Sequence, residues 1–228
     1  MTFFNPTAPI LRTKQKALDI QDNLGVWKIE LKFGVIPLFS TSYTRIDQVF
    51  LLWGILTLVL FSIGQMLSIS WVVQAILSSV LTVVATVGMA SLTFFWARVE
   101  SLVWVILVWV VLMLLGIVLT DVSIFFNLGI GLANLCSLWL GLSSIGYGIT
   151  GVGLRSKTFL WIAAIHLCSI WLLPLVSSWQ FLATGLVIGG SLLLLAQFQW
   201  DMRPPIEYKV LVKEQKEFNR QQHLLRQN

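Results

Sequence analysis

The sequence predicts an all-α integral membrane protein: a six-transmembrane-helix bundle built as three antiparallel hairpins. Three observations carry that expectation. The 228 residues are 57% hydrophobic and only 11% charged, with a mean hydropathy of +0.86, whereas a soluble domain carries about 25% charged residues. Six apolar stretches fit the roughly 20 residues needed to cross a hydrocarbon core about 30 Å thick. Every Lys and Arg falls on one side of those stretches.

In order, the predicted spans are 49–68, 71–96, 102–120, 123–149, 159–177 and 179–199, and none has Asp, Glu, Lys or Arg in its interior. They divide the chain into an N-terminal segment 1–48, a transmembrane domain 49–199 and a C-terminal segment 200–228. The first segment is basic and polar and is followed by no short apolar stretch with a small-residue cleavage site. Insertion is therefore expected to begin with an internal helix that stays in the membrane.

Orientation follows from the loops. The connections near Ser68–Ser70, Thr120–Val122 and Leu175–Ser178 hold no basic residue. All 15 lie opposite: six before the first span, then Arg98, Arg155 and Lys157, then six after the last. The positive-inside rule places both termini in the cytoplasm, with these loop cations facing lipid headgroups. Tryptophan agrees. Trp53, Trp96, Trp104, Trp161 and Trp200 mark inner ends of spans, and Trp71, Trp171 and Trp179 mark outer ends, where amphipathic indoles favour the headgroup level. Trp109 and Trp139 lie nearer mid-membrane and require packing or a partner for their N–H.

The tails carry strand signals. Apolar and charged residues alternate strictly through Trp27–Phe33 and nearly so through Ile206–Lys213, a period of two that reads as a half-buried strand. The expectation is a small cytoplasmic two-stranded β element formed by the N- and C-terminal tails. An interfacial helix over 24–38 is the alternative, opposed by Gly34 and Pro37. Beyond Lys213 the polar, helix-compatible chain is expected to be a frayed tail rather than a docking helix.

Motifs add little chemistry. Ser144-Ile145-Gly146-Tyr147-Gly148 resembles the selectivity filter of potassium channels, yet a re-entrant loop there would export the basic C-terminal tail, and Ile149 stands where the filter's Asp belongs. Gly146-x-Gly148-x-x-Gly151 lacks the strand context of a dinucleotide site. Cys136 and Cys168 fall inside spans and form no framework.

The fourth predicted span is the most polar. Asn127, Asn134, Gly141 and Gly148 recur every seven residues, beside a small-xxx-small row of Gly129, Ala133, Ser137 and Gly141. Such residues allow close helix packing and interhelical hydrogen bonds, so this span is expected to be central. Gly185 and Gly189 predict a second close contact. Asn127, Asn134, Ser143, Ser144 and His166 are the candidate ligand or packing-polar residues, with His166 expected to bond Ser143 or Ser144. Asp121 and Ser123 suggest a helix N-cap, and Arg98 with Glu100 a local pair. No metal site, catalytic residue or cofactor is assigned.

Ion-coupled transporters and membrane enzymes place ionisable groups within the bilayer; here only His166 and two thiols qualify. The functional expectation is a non-catalytic accessory, scaffold or assembly subunit, with other membrane subunits and lipid as partners. A facilitator of a neutral or lipid-like molecule and a pigment- or haem-associated subunit are the alternatives. The net charge of +5 is accounted for by topology, so nucleic acid is not an expected partner.

Overall fold

The computed structural model describes residues 3–4, 9–15, 17–33, 36–203 and 209–226. In chain order it comprises β1 (Leu11–Arg12), α1 (Ile20–Asn23), β2 (Trp27–Phe33), β3 (Ile36–Tyr43), α2 (Arg45–Met66), α3 (Trp71–Val99), α4 (Val103–Phe125), α5 (Gly129–Ala133), α6 (Leu135–Leu154) and α7 (Lys157–Leu172). A 3-10 segment, Leu173–Trp179, leads to α8 (Gln180–Gln197), β4 (Gln199–Trp200) and α9 (Lys213–Leu225). Among the described residues five helices are long and apolar enough to cross a membrane: α2, α3, α4, α6 and the 41-residue run Lys157–Gln197. The protein is a mostly helical membrane protein.

That last run is not one straight rod. Pro174 lies in its 3-10 segment and Val176 leaves helical geometry (φ −119°, ψ 38°). A straight 41-residue helix would separate its ends by about 60 Å, yet the Lys157 amide donates to Asp201 at 2.7 Å. The chain therefore folds back between α7 and α8.

Local sequence sets the helix boundaries. Thr44 and Asp47 form a reciprocal capping box at the start of α2, so this helix opens at Arg45 rather than at 49. Ser70 accepts from the Val73 amide to cap α3, and Ser156 caps α7. The expected break at Thr120–Val122 does not occur. Helix α4 continues to Phe125, since nothing in Asp-Val-Ser breaks a helix. The turn comes at Asn127, with φ +50°, a conformation Asn tolerates. Asp121 is thus in the last turn of α4 and caps nothing; the Ser79 hydroxyl donates to it.

Helices α2 and α8 run antiparallel. The Tyr43 hydroxyl reaches Gln197 at one end, and the Gln65 amide reaches the Ser178 carbonyl at the other. Glycine permits the close approach: a Cβ on Gly189 would sit 2.8 Å from the Gly54 carbonyl and 2.6 Å from Leu58 Cγ, and one on Gly185 would meet Phe61 at 2.7 Å. The contact expected of Gly185 and Gly189 is this one. Helix α6 is the most enclosed of the long helices, 50% buried against 17–28% for the rest. Trp109 packs its ring on Gly146, and Trp139 on Gly116.

The tails differ from expectation in their pairing. β2 pairs with its neighbour β3, from Trp27 opposite Tyr43 to Phe33 opposite Ile36. Closing a two-residue connection costs far less chain entropy than recruiting a segment at the other terminus. The register shifts between Leu31 and Lys32, where Pro37 stands opposite, as expected for a residue with no N–H. Of the second expected strand, 206–208 lies outside the described residues, and Lys213 opens α9. Its alternation has another cause: Leu211 packs with Val99 and Ile20, while Val210 and Val212 face outward. The tails do join, but through β1 and β4, Leu11 opposite Trp200 and Arg12 opposite Gln199. The C-terminal segment is no frayed tail, since Asn219 on α9 is buried and bonded to the N-terminal segment.

Candidate functional site

An apolar cleft of about 220 Å³ lies between α2, α3, α4, α6 and α8. Trp71, Gln74 and Phe181 line one end, Trp53, Trp109 and Tyr147 the middle, and Ile46, Trp96 and Trp200 the other end. No described residue lining it is charged. Its polar edges are largely internally satisfied. The Trp109 indole donates to Thr150 at 3.0 Å, the Trp139 indole to Thr120 at 3.2 Å, and the Thr150 hydroxyl to the Gly146 carbonyl at 2.8 Å. The two mid-span tryptophans thus have both packing and partners. The Trp53 indole N–H, by contrast, is buried with none.

At the tail end of the bundle lies a polar cavity of about 600 Å³. Its walls come from both tails and from the turns they cover. Asp201 receives the Ser156 hydroxyl (2.8 Å), the amides of Lys157 (2.7 Å) and Thr158 (2.9 Å), and the Thr158 hydroxyl (2.6 Å). Burial pushes its carboxyl pKa up, but those donors outweigh it and hold the carboxyl below its ordinary value. Asp19 takes Arg226 at 2.7 Å and His223 at 3.1 Å. Gln21 donates to Glu100 at 3.0 Å and accepts from Asn219 at 3.1 Å.

Arg203 anchors the floor by donating to the carbonyls of Gly153 and Glu100 and sits 3.8 Å from the Glu100 carboxylate. Burial raises the Glu100 pKa despite that guanidinium. Asp22, partly buried, is pushed up to about 7, chiefly by burial and then by the charges of Asp19 and Glu100. The Trp96 indole donates to it at 3.0 Å. Lys14 bridges Asp47 (2.8 Å) and the Ser42 carbonyl (2.9 Å) over the Tyr43 ring; burial lowers its pKa.

The residues singled out from sequence scatter. Ser143 is buried and lines the cleft. The Ser144 hydroxyl donates instead to the Ala163 carbonyl at 2.9 Å. Neither serine bonds His166, contrary to expectation. His166 Nδ1 lies 2.8 Å from the Ile162 carbonyl of its own helix, its ring packs 5.0 Å from that of Tyr147, and Nε2 has no partner. Asn127 and Asn134 do not share a buried helix face; both are exposed around the break before α6, and Asn134 bonds the Ile130 carbonyl.

Arg98 is exposed beside the Phe94 ring, so Glu100 pairs with Arg203 rather than with it. Arg155 closes α6 with φ +52° and lies 5.1 Å from the Phe3 ring. The Lys157 amide is one of the Asp201 donors. Residues 144–148 lie within α6, so the filter-like string is ordinary helix. Among the described residues no group of three or more His, Cys, Asp or Glu is placed to hold a metal ion.

Sequence reasoning missed Asp19, Asp22, Asp201 and Arg203, which build the polar cavity. One signal was present: Ser156 and Thr158 open a helix whose first turn has no acid of its own, leaving donors for a distant carboxylate. Compared with known proteins, the chain matches no family model, no curated protein and no solved structure.

Proposed function

We propose that this chain is a membrane protein of six crossings with cytoplasmic termini, and that its bundle is a non-catalytic facilitator of a neutral, lipid-like molecule held in the cleft. The observation that carries the functional reading is the cleft itself, aromatic, uncharged along its described walls and placed inside the bundle. Ligand sites are concave and mostly apolar with a few polar groups, and an uncharged wall within a bilayer suits a molecule that brings no charge. The crossing count rests on the fold-back within 157–197, and the orientation on the one-sided distribution of Lys and Arg.

Two experiments test this. In a chain lacking Cys136 and Cys168, a membrane-impermeant thiol reagent applied outside should label a cysteine at Ile69 and spare one at Ser101; the reverse pattern overturns the topology. Organic extraction of purified protein should release a neutral apolar compound near one per chain, and Ser143→Phe, which fills the cleft, should abolish its retention. Retention unchanged by Ser143→Phe overturns the cleft reading.

An accessory or assembly role is a second reading, favoured by one feature. Val210, Val212, Leu224 and Leu225 are exposed on a segment outside the long apolar helices, where exposed apolar side chains suit a protein partner. Co-purification of a complex, lost on Leu225→Glu, tests it. The pigment or haem reading draws no support from His166, whose ring is fully buried against Tyr147.

A further inference from the structure

The apolar cleft and the polar cavity adjoin: Ile46, Trp96 and Trp200 line both, at the tail end of the bundle. Trp96 sits at the junction, its ring on the cleft wall and its N–H on Asp22 in the cavity. Along α3 the cleft lining extends from Trp71 to Ala97, a rise of about 39 Å, somewhat more than a hydrocarbon core of about 30 Å. The cleft is therefore long and apolar, and the larger polar chamber lies against its tail end.

The chamber's charges decide what head would fit. Lys14 is bonded to Asp47, Arg226 to Asp19 and Arg203 faces Glu100, while Asp201 is saturated by the start of α7. Across the chamber Arg12, Lys14, Arg203 and Arg226 stand among Asp19, Asp22, Asp47, Glu100 and Asp201, so both signs are present in near balance and neither a pure anion nor a pure cation is favoured. What remains for a guest, among the described residues, is the Arg12 guanidinium, which makes no hydrogen bond, and one oxygen of Asp22. Donors and acceptors are thus offered together.

Resting on the cleft reading above, we infer that cleft and cavity form one site for an amphipathic lipid: an apolar chain lies in the cleft, and a hydrogen-bonding head group of zero net charge occupies the chamber. Zwitterionic and hydroxylated heads share this chemistry.

The test loads delipidated full-length protein with dioleoylphosphatidylcholine, a diacyl glucosylglycerol, anionic dioleoylphosphatidylglycerol or headless squalene, and reads occupancy by native mass spectrometry. The expected result is one bound phosphatidylcholine or glucolipid per chain, the preferred one identifying the head. Affinity should fall at least tenfold with Arg12→Gln, an exposed position whose change leaves the fold intact, and with Ser143→Phe. The lipid-facing control Leu186→Phe should bind as the parent does. Squalene binding as well as phosphatidylcholine, with no effect of Arg12→Gln, would overturn the head-group assignment while leaving the cleft reading standing. Preference for the anionic lipid also overturns it. Several lipids bound per chain, insensitive to Ser143→Phe, would overturn both.

Discussion

Asp201 closes the first turn of a helix that begins 44 residues earlier in the chain, at Lys157. Its carboxylate does what an N-cap side chain does, but from beyond the far end of α8, and in doing so holds the start of α7 beside the end of α8. It takes two amides and two hydroxyls at 2.6–2.9 Å.

Replacing Asp201 with Ala should therefore cost about 3 kcal/mol, because it strands buried donors rather than removing one exposed bond. The folded carboxyl titrates below its ordinary value, so its contribution is complete above about pH 4 and is lost as pH falls through the lower, folded value. Thermal unfolding in detergent from pH 7 to pH 3 should show the gap between parent and variant narrowing only at the acid end.

Asp22 has the opposite sign. Its folded value is raised to about 7, so the folded state binds the proton more tightly, and stability declines as pH rises from about 4 to about 7. Asp22→Asn keeps an acceptor for the Trp96 indole and removes the titration. The variant should be more stable than the parent at pH 8, with the advantage vanishing near pH 4. An identical pH profile for the two proteins would refute the assignment.

The α2–α8 contact gives a sharp pair of substitutions. Gly189→Leu drives a side chain into the Gly54 carbonyl and Leu58, whereas a Cβ at the adjacent Gly190 meets nothing within 4 Å. The first should destabilise by about 3 kcal/mol or prevent folding, and Gly190→Ala should be neutral or slightly stabilising by helix propensity. Melting temperatures of the two variants decide it.

Docking of α9 depends on Arg226, which bonds the Asp19 carboxylate and the Ala17 carbonyl. Arg226→Ala leaves the buried Asp19 with His223 as its remaining ionic partner and should weaken docking by about 2 kcal/mol. Limited trypsin digestion should then cut at Lys209 and Lys213 several-fold faster, with the membrane core left intact.

Much of the fold was legible because its signals are local or compositional. Apolar runs without charges mark α2, α3 and α4, and small residues mark α6 as the most enclosed helix. Gly185 and Gly189 announce a close contact without naming Gly54 and Leu58 as its other side. Trp109 and Trp139 declare a need for partners, which Thr150 and Thr120 meet. The errors arose where two descriptions share one pattern. Alternation at Val210–Val212 reads as strand but reflects a turn whose Leu211 packs on Val99, and Asp121 resembles an N-cap only while the helix is assumed to stop before it.

By itself, then, the sequence determined the solvent and the long helices. Exclusion of charge from whole segments is an energetic requirement of the hydrocarbon, and needs no knowledge of neighbours. Tertiary structure alone decided the pairing of β1 with β4, the carboxylate partners of the α7 start, and the meeting of cleft and chamber at Trp96. Each joins residues far apart in the chain, and which distant donor meets which acceptor is fixed by how the helices pack, a relation that no local pattern of residues encodes.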